Sequence, residues 1–155
     1  MTRIATPNDL EFITHLAHEF DPFGPYVTVF VNMLIGNHAA LRRLGVIGDV
    51  ELFIHEDDAV QRTGFAAVEW SINGTGNIHG MAVDERYRGQ GFATHLLNHV
   101  EQLASQRGTL TLEAITAETN IPALNCFTNF GFHNLGFAGN YPNGQRAVLL
   151  SKPVE

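Results

Sequence analysis

Residues 81–94 read Met81-Ala82-Val83-Asp84-Glu85-Arg86-Tyr87-Arg88-Gly89-Gln90-Gly91-Phe92-Ala93-Thr94. The stretch begins with apolar residues typical of a strand, continues through a basic segment with two glycines, and enters a segment of helical periodicity. Glycine lets the backbone approach a ligand closely, and a helix N-terminus offers unpaired N–H groups and partial positive charge. We therefore predict a strand, loop and helix that together bind an anion such as a phosphate or pyrophosphate.

The segment after this loop has the pattern of an amphipathic helix. Phe92, Leu96, Val100 and Leu103 recur on one face, while polar residues occupy the others. Gly108 is a typical residue for ending such a helix. We expect the helix to start within the glycine loop and to run to about residue 106.

The rest of the chain alternates between helical and strand periodicity. Further helices are predicted over 7–20, 25–35, 39–44 and 121–129, and strands over 3–6, 50–55, 64–72, 77–83, 110–115, 134–141 and 147–152. Three consecutive antiparallel strands followed by a strand–helix–strand crossover indicate a mixed α/β (α+β) fold. No repeat or linker interrupts the pattern, so residues 1–155 are expected to form a single domain.

The composition excludes several kinds of partner. A net charge of −7 with only nine lysines and arginines argues against nucleic acid and favours a cationic partner. Cys126 is the only cysteine, so no internal disulfide is expected. The start of the chain is unlike a signal peptide, and no apolar stretch approaches the roughly 20 residues of a membrane span. We expect a cytoplasmic protein without membrane attachment.

Three interpretations of the glycine loop compete. Gly89 and Gly91 are compatible with a plain tight turn flanked by solvated arginines. They also fit part of a dinucleotide-binding loop, but Thr94 stands in place of the third glycine and five polar residues separate the strand from the first. The third interpretation depends on a second motif downstream.

Two motifs in the same order carry a resemblance to a known family. Arg88-x-x-Gly91-x-Ala93 follows the apolar strand, and Asn120-x-x-Ala123-x-x-x-Phe127-x-x-x-Gly131-Phe132 follows later in the chain. Together they resemble the acyl-CoA-binding segments of the GNAT superfamily of N-acetyltransferases. The resemblance implies a mainly antiparallel sheet of six to seven strands flanked by about four helices. It also implies acetyl-CoA as co-substrate, no metal, and direct acetyl transfer to a primary amine of a small molecule or peptide.

The resemblance further implies where the two substrates lie. The pantetheine arm would follow Met81, Ala82 and Val83, and Asn120 and Phe127 would also contact the cofactor, with Asn120 equally suited to capping a helix. Phe23 and Tyr26 fall in the segment that shapes the acceptor pocket in this family, although core packing would suit them too. The residues expected to hold the pyrophosphate are Arg88, Gly89, Gln90, Gly91, Phe92, Ala93 and Thr94.

Acetyl transfer to an amine requires a base, because the amine is mostly protonated at neutral pH. His79 is the first candidate, since arylalkylamine acetyltransferases of this superfamily carry a histidine there and imidazole titrates near neutrality. A strand histidine can equally be a structural, hydrogen-bonded side chain. Glu113 is the second candidate, by resemblance to ribosomal-protein acetyltransferases. Glu69 is the third, although we expect it to be a surface carboxylate.

Phe127 departs from the family pattern, because many members have a tyrosine there that protonates the leaving thiolate. Tyr141 is a candidate replacement, whereas Cys126 is expected to be buried and not an acyl carrier. His95 and His99 are expected to be surface histidines and not metal ligands. The loss of the tyrosine leaves an alternative function open, an acetyl-CoA-binding sensor without transfer. A homodimer is expected from the family resemblance alone.

Overall fold

The computed structural model describes residues 1–20 and 25–155. Its seven strands form one sheet in the order β1-β2-β3-β4-β5-β7-β6. The strands are β1 Thr2–Ile4, β2 Asp49–Glu56, β3 Arg62–Trp70, β4 Thr75–Val83, β5 Thr111–Ala117, β6 His133–Asn140 and β7 Arg146–Pro153. The described α-helices are α1 Leu10–Phe20, α2 Pro25–Ile35, α3 His38–Arg43, α4 Phe92–Arg107 and α5 Ile121–Phe130, and two short 3₁₀ turns cover Pro7–Asp9 and Glu85–Tyr87.

The predicted fold class is confirmed. Neighbouring strands are antiparallel except β4 and β5, which are parallel and joined by the crossover helix α4. The described helices outnumber the four expected from the family resemblance by one, because α3 is a separate helix. The start of the first predicted helix is a 3₁₀ turn, in which the Asp9 carboxylate accepts from the Thr6 amide at 2.8 Å.

Different helices cover the two faces of the sheet. Helices α4 and α5 bury one face with residues such as Leu96, Val100 and Phe127, together with Val68 of β3. The first three helices bury the other face over β2 to β4, where Leu16 and Phe30 pack on the sheet. Strand β3 is buried on both faces, which explains its almost continuous apolar sequence.

One contact fixes how α2 lies on β4. A Cβ atom at Gly80 would overlap the ring of Phe30, which is fully buried on α2. Only glycine leaves room for this ring against the strand, so helix and strand backbones approach closely here. The contact lies beside His79. In the part of the chain that the structure describes, no helix is long and apolar enough to cross a bilayer.

Candidate active site

The loop between β4 and α4 has the conformation that an anion site requires. Asp84 accepts from the Arg86 amide at 3.0 Å and so starts the 3₁₀ turn that follows the strand. Gly89 and Gly91 then adopt φ values of +77° and +82°, which other residues rarely adopt. Gly91 is the N-cap of α4 and has no side chain to satisfy the first amides of the helix. These amides are therefore available to a ligand.

The two arginines of the loop have partners within the protein. Arg86 binds the Asp84 carboxylate, with Nη2 2.9 Å from Oδ2, and this bond, against the opposing effect of burial, lowers the pKa of Asp84. Arg88 donates from Nε to the Val83 carbonyl at 3.0 Å. Both side chains are exposed, and both brace the turn that connects the strand to the glycines.

Strands β4 and β5 separate at the end of the sheet where the glycine loop lies. Their register runs from Thr75 opposite Thr111 to Ile78 opposite Ala114 and then stops. On its other edge β4 stays paired with β3 as far as Val83. Residues 79–83, which include the predicted Met81, Ala82 and Val83, therefore have no strand partner on this edge among the described residues, and the gap between β4 and β5 forms a groove. An extended ligand can add hydrogen bonds along such an edge.

His79 occupies the point where this groove begins. On β3 the consecutive residues Ala67 and Val68 pair with Gly80 and Ile78, so His79 is the extra residue of a β-bulge. A bulge changes the direction of a side chain relative to the regular strand. The His79 ring is bonded through Nε2 to Oε1 of Glu69 at 2.7 Å, and its side chain is 26% exposed.

Glu69 is buried, which corrects its prediction as a surface carboxylate. It is 5% exposed, and its Oε2 accepts from the amides of Ile47 at 3.1 Å and Gly48 at 2.8 Å. Burial by itself would raise the pKa of this carboxyl, but the hydrogen bonds from His79, Gly48 and Ile47 outweigh burial and lower it. Glu69 is therefore ionised in the native protein at neutral pH.

The other two predicted catalytic residues lie on β5 and in the turn between β6 and β7. Glu113 is in register with Asn77, within the paired part of β4 and β5, and it is partly exposed. Tyr141 starts the turn between β6 and β7, where its amide donates to the Gln145 carbonyl at 2.7 Å. Because Ala117 pairs with Ala147, this turn lies beyond the carboxyl end of β5, at the same end of the sheet as the glycine loop.

The downstream motif has clear structural roles. Asn120 caps α5, its Oδ1 accepting from the Ala123 amide at 3.3 Å. Phe127 is 5% exposed and packs edge-to-face against Phe132, with ring centroids 5.0 Å apart. Cys126 is partly buried, and burial raises the pKa of its thiol, which opposes a role as nucleophile. The side chains of Phe23 and Tyr26 lie outside the described part of the structure.

A buried histidine next to the glycine loop had no signal in the sequence. His55 is 1% exposed, and its Nε2 is 3.1 Å from Nδ1 of His95, in the first turns of α4. His95 is exposed, as predicted, whereas His99 is half-buried. His99 packs edge-to-face on Phe53 at 4.9 Å, and burial lowers its pKa. Across residues 1–20 and 25–155, no three metal-ligating side chains of the His, Cys, Asp or Glu types cluster together.

Comparison with known proteins gives one relative of known activity. Streptothricin acetyltransferase of Streptomyces lavendulae is 30% identical over 96 residues, which cover 58% of this chain and 51% of that protein. The chain thus matches about half the length of this relative.

Solved structures share the fold over more of the chain. The ribosomal-protein-S18-alanine N-acetyltransferase of Escherichia coli has a TM-score of 0.77 at 19% identity, covering 100% of this chain and 94% of that one. A Bacillus anthracis protein assigned as a streptothricin acetyltransferase, solved with acetyl coenzyme A, has a TM-score of 0.63 at 20% identity, covering 68% and 63%. Both likenesses show the fold.

A protein-family model that matches more than half of the sequence identifies the family. The model of the acetyltransferase (GNAT) family matches residues 19–132, which include both motifs from which the family was predicted. That prediction is confirmed. The chain belongs to the GNAT family of acetyltransferases.

Proposed function

We propose that this protein transfers an acetyl group directly from acetyl-CoA to a primary amine of a small cationic molecule, with His79 as the base. The observation that carries the proposal is the open groove between β4 and β5, which has His79 at one end and the glycine loop at the other. His79 supplies a proton acceptor for the amine, and the glycine loop supplies an anion site for the pyrophosphate of acetyl-CoA.

Acetyl-CoA is held mainly by backbone groups in this proposal. The pyrophosphate lies on the amides from Arg88 to Thr94, and the pantetheine arm follows the edge of residues 81–83 that has no strand partner. Each contact between an anion and an exposed helix terminus contributes about 0.3–1 kcal/mol, so several amides must act together. Asn120 and Phe127 border the cofactor through α5, in addition to their capping and packing roles.

The reaction needs one proton acceptor and one proton donor. The neutral amine nitrogen attacks the thioester carbonyl, the C–N bond forms, the C–S bond breaks, and the amine proton passes to His79. Backbone N–H groups released from the ladder by the bulge are suited to stabilising the oxyanion. Tyr141 is the proposed donor to the thiolate, because Phe127 has no proton to give and Tyr141 lies at the same end of the sheet.

We assign the base to His79 in preference to Glu113. His79 lies where β4 and β5 separate. Glu113 lies within the paired segment, opposite Asn77, which is two residues before His79. Glu113 is partly exposed and lies on the same face of the sheet as Glu69, with Asn77 of β4 between them, so the two carboxylates give this face negative charge. Negative charge at this position favours a cationic acceptor.

The acceptor class is inferred from charge and from one relative. The net charge of −7 attracts cations, and the relative from Streptomyces lavendulae is a streptothricin acetyltransferase. We therefore place small polyamine-like molecules, streptothricin among them, ahead of peptide amino groups. We place the reaction in the cytoplasm, since the single cysteine forms no internal disulfide. The homodimer stays a prediction.

A product assay tests the proposal. The full chain is incubated with acetyl-CoA and with streptothricin, simple diamines or short peptides, and each acceptor is analysed by mass spectrometry for an added acetyl group while free thiol is measured. We expect acetylation of the cationic small molecules. Absence of any product above background would overturn the proposal, and tight acetyl-CoA binding without product would favour the sensor function instead.

A further inference from the structure

The direction of the His79 ring is set by one carboxylate. Nε2 of His79 lies 2.7 Å from Oε1 of Glu69, and the ring makes no other hydrogen bond within the described chain. Glu69 pairs with Asn77, and His79 is two residues further along β4, so strand alternation places His79 on the same face of the sheet as Glu69, as its diagonal neighbour.

The carboxylate is itself held in place. Its second oxygen accepts from two consecutive amides, those of Ile47 and Gly48, in the loop between α3 and β2. A Cβ atom at Gly48 would overlap the Trp70 carbonyl, so this loop lies directly against β3. Three donors on two oxygens in a buried site leave Glu69 little rotational freedom.

This arrangement determines which nitrogen of His79 carries the proton. An ionised carboxylate can only accept, so Nε2 of His79 must donate. In the neutral ring Nδ1 then has the lone pair, and Nδ1 is the atom without a hydrogen bond in the described structure. Glu69 thus leaves the basic nitrogen free to face a substrate.

We propose that Glu69 is a positioning residue that holds His79 in the Nε2–H tautomer, so that Nδ1 receives the proton of the acceptor amine. The role of Glu69 in catalysis rests on the proposed function. During transfer the amine N–H bond breaks and the Nδ1–H bond forms, while Glu69 stays ionised and stabilises the imidazolium through Nε2–H. Carboxylates that orient histidines act in this way in other enzymes, where an amide in place of the carboxylate favours the wrong tautomer.

Glu69→Gln separates this role from a structural one. The side-chain carbonyl of glutamine can still accept from the Ile47 and Gly48 amides, but its NH₂ group then faces His79 and requires Nε2 to accept. The proton moves to Nδ1 and the base is lost. Glu51→Gln is the matched control, because Glu51 is also a strand carboxylate that accepts two side-chain hydrogen bonds, from Trp70 and Arg107, and among the described residues it binds neither His79 nor the glycine loop.

Two measurements test the proposal on the full chain. Nitrogen-15 NMR of the imidazole gives the tautomer of His79 in the wild type, and steady-state kinetics gives kcat and KM with acetyl-CoA and an amine. We expect the Nε2–H tautomer, and a fall in kcat on the order of 100-fold to 1000-fold in Glu69→Gln with an unchanged KM for acetyl-CoA. Glu51→Gln should stay within about threefold of the wild type.

Each outcome has a definite meaning. A neutral His79 that carries its proton on Nδ1 would overturn the positioning role without the need for any variant. A Glu69→Gln protein with wild-type kcat would overturn it as well. Absence of turnover in the wild type would instead overturn the proposed function, while the measured tautomer still decides whether Glu69 orients His79.

Discussion

At the scale of single residues, Val60 is strained. It has a φ of +61° and is the one non-glycine residue with positive φ in the described ranges. The turn between β2 and β3 enforces this conformation, because Asp57 Oδ1 accepts from the amides of Ala59 and Gln61. A β-branched residue in the left-handed region is a true outlier. The side chain is 68% exposed, so little packing offsets the strain.

Val60→Gly should therefore stabilise the protein. Glycine adopts this φ without the Cβ clash, and we expect the free energy of unfolding to rise by about 1 kcal/mol. Urea denaturation at neutral pH gives the value. Val60→Ala is the control, because alanine keeps the Cβ atom and should gain less. A glycine variant no more stable than the wild type would show that the turn is not strained.

Sequence reasoning identified residues by type but not by environment. Asn120 was recognised as a helix cap because capping depends on neighbours three residues away. Glu69 was predicted at the surface, since its amide partners lie 21 and 22 residues earlier in the chain and no local pattern reports them. The bulge at His79 is equally invisible, because it is a property of two paired strands.

At the scale of secondary structure, periodicity predicted nearly every helix and strand with boundaries within a few residues. Helix α4 and strand β4 are examples, since their apolar positions and flanking glycines are local signals. The separation of β4 from β5 after Ile78 was not predicted from periodicity, because both strands continue in sequence as though paired. The groove therefore became visible only in the structure.

The glycine loop makes a prediction at this scale. Gly91→Glu places a side chain and a negative charge at the N-cap of α4, where φ is +82°. Like charges repel at the phosphate site, and we expect acetyl-CoA binding to become undetectable by calorimetry.

Gly108→Glu is the matched control for this experiment. Gly108 is at the other end of α4, with a φ of +73° and equally open surroundings, so it reports the general cost of the substitution. We expect its acetyl-CoA affinity to match the wild type. Equal losses in both variants, or none in Gly91→Glu, would show that the loop does not bind the cofactor.

At the scale of the whole molecule, the buried His55 and the half-buried His99 link folding to pH. His55 joins β2 to α4 through His95 and to β3 through Thr63, with Nδ1 2.6 Å from the threonine Oγ1. Burial, with smaller contributions from the amino terminus and His95, lowers the pKa of His55 to about 4. Burial also lowers the pKa of His99, which packs between α4 and β2.

Stability should therefore decrease in mild acid. Between about pH 6.5, the ordinary value of the histidine pKa, and pH 4, the unfolded chain binds more protons than the native protein. The contribution of neutral His55 to the free energy of unfolding is complete above this pH window and is lost as the pH falls through it. Urea denaturation at pH 7.5 and pH 5 should show a smaller loss for His55→Gln than for the wild type. An identical loss would exclude His55 as the source.

The central claim is that His79, at the start of the groove, takes the proton during acetyl transfer. The most direct measurement is the turnover rate for a primary amine at saturating acetyl-CoA, compared between the wild type, His79→Ala and the exposed control His38→Ala. We predict a loss of roughly 100-fold or more in His79→Ala, with unchanged acetyl-CoA affinity, and wild-type turnover in His38→Ala. Turnover of His79→Ala within a few-fold of the wild type would contradict the account.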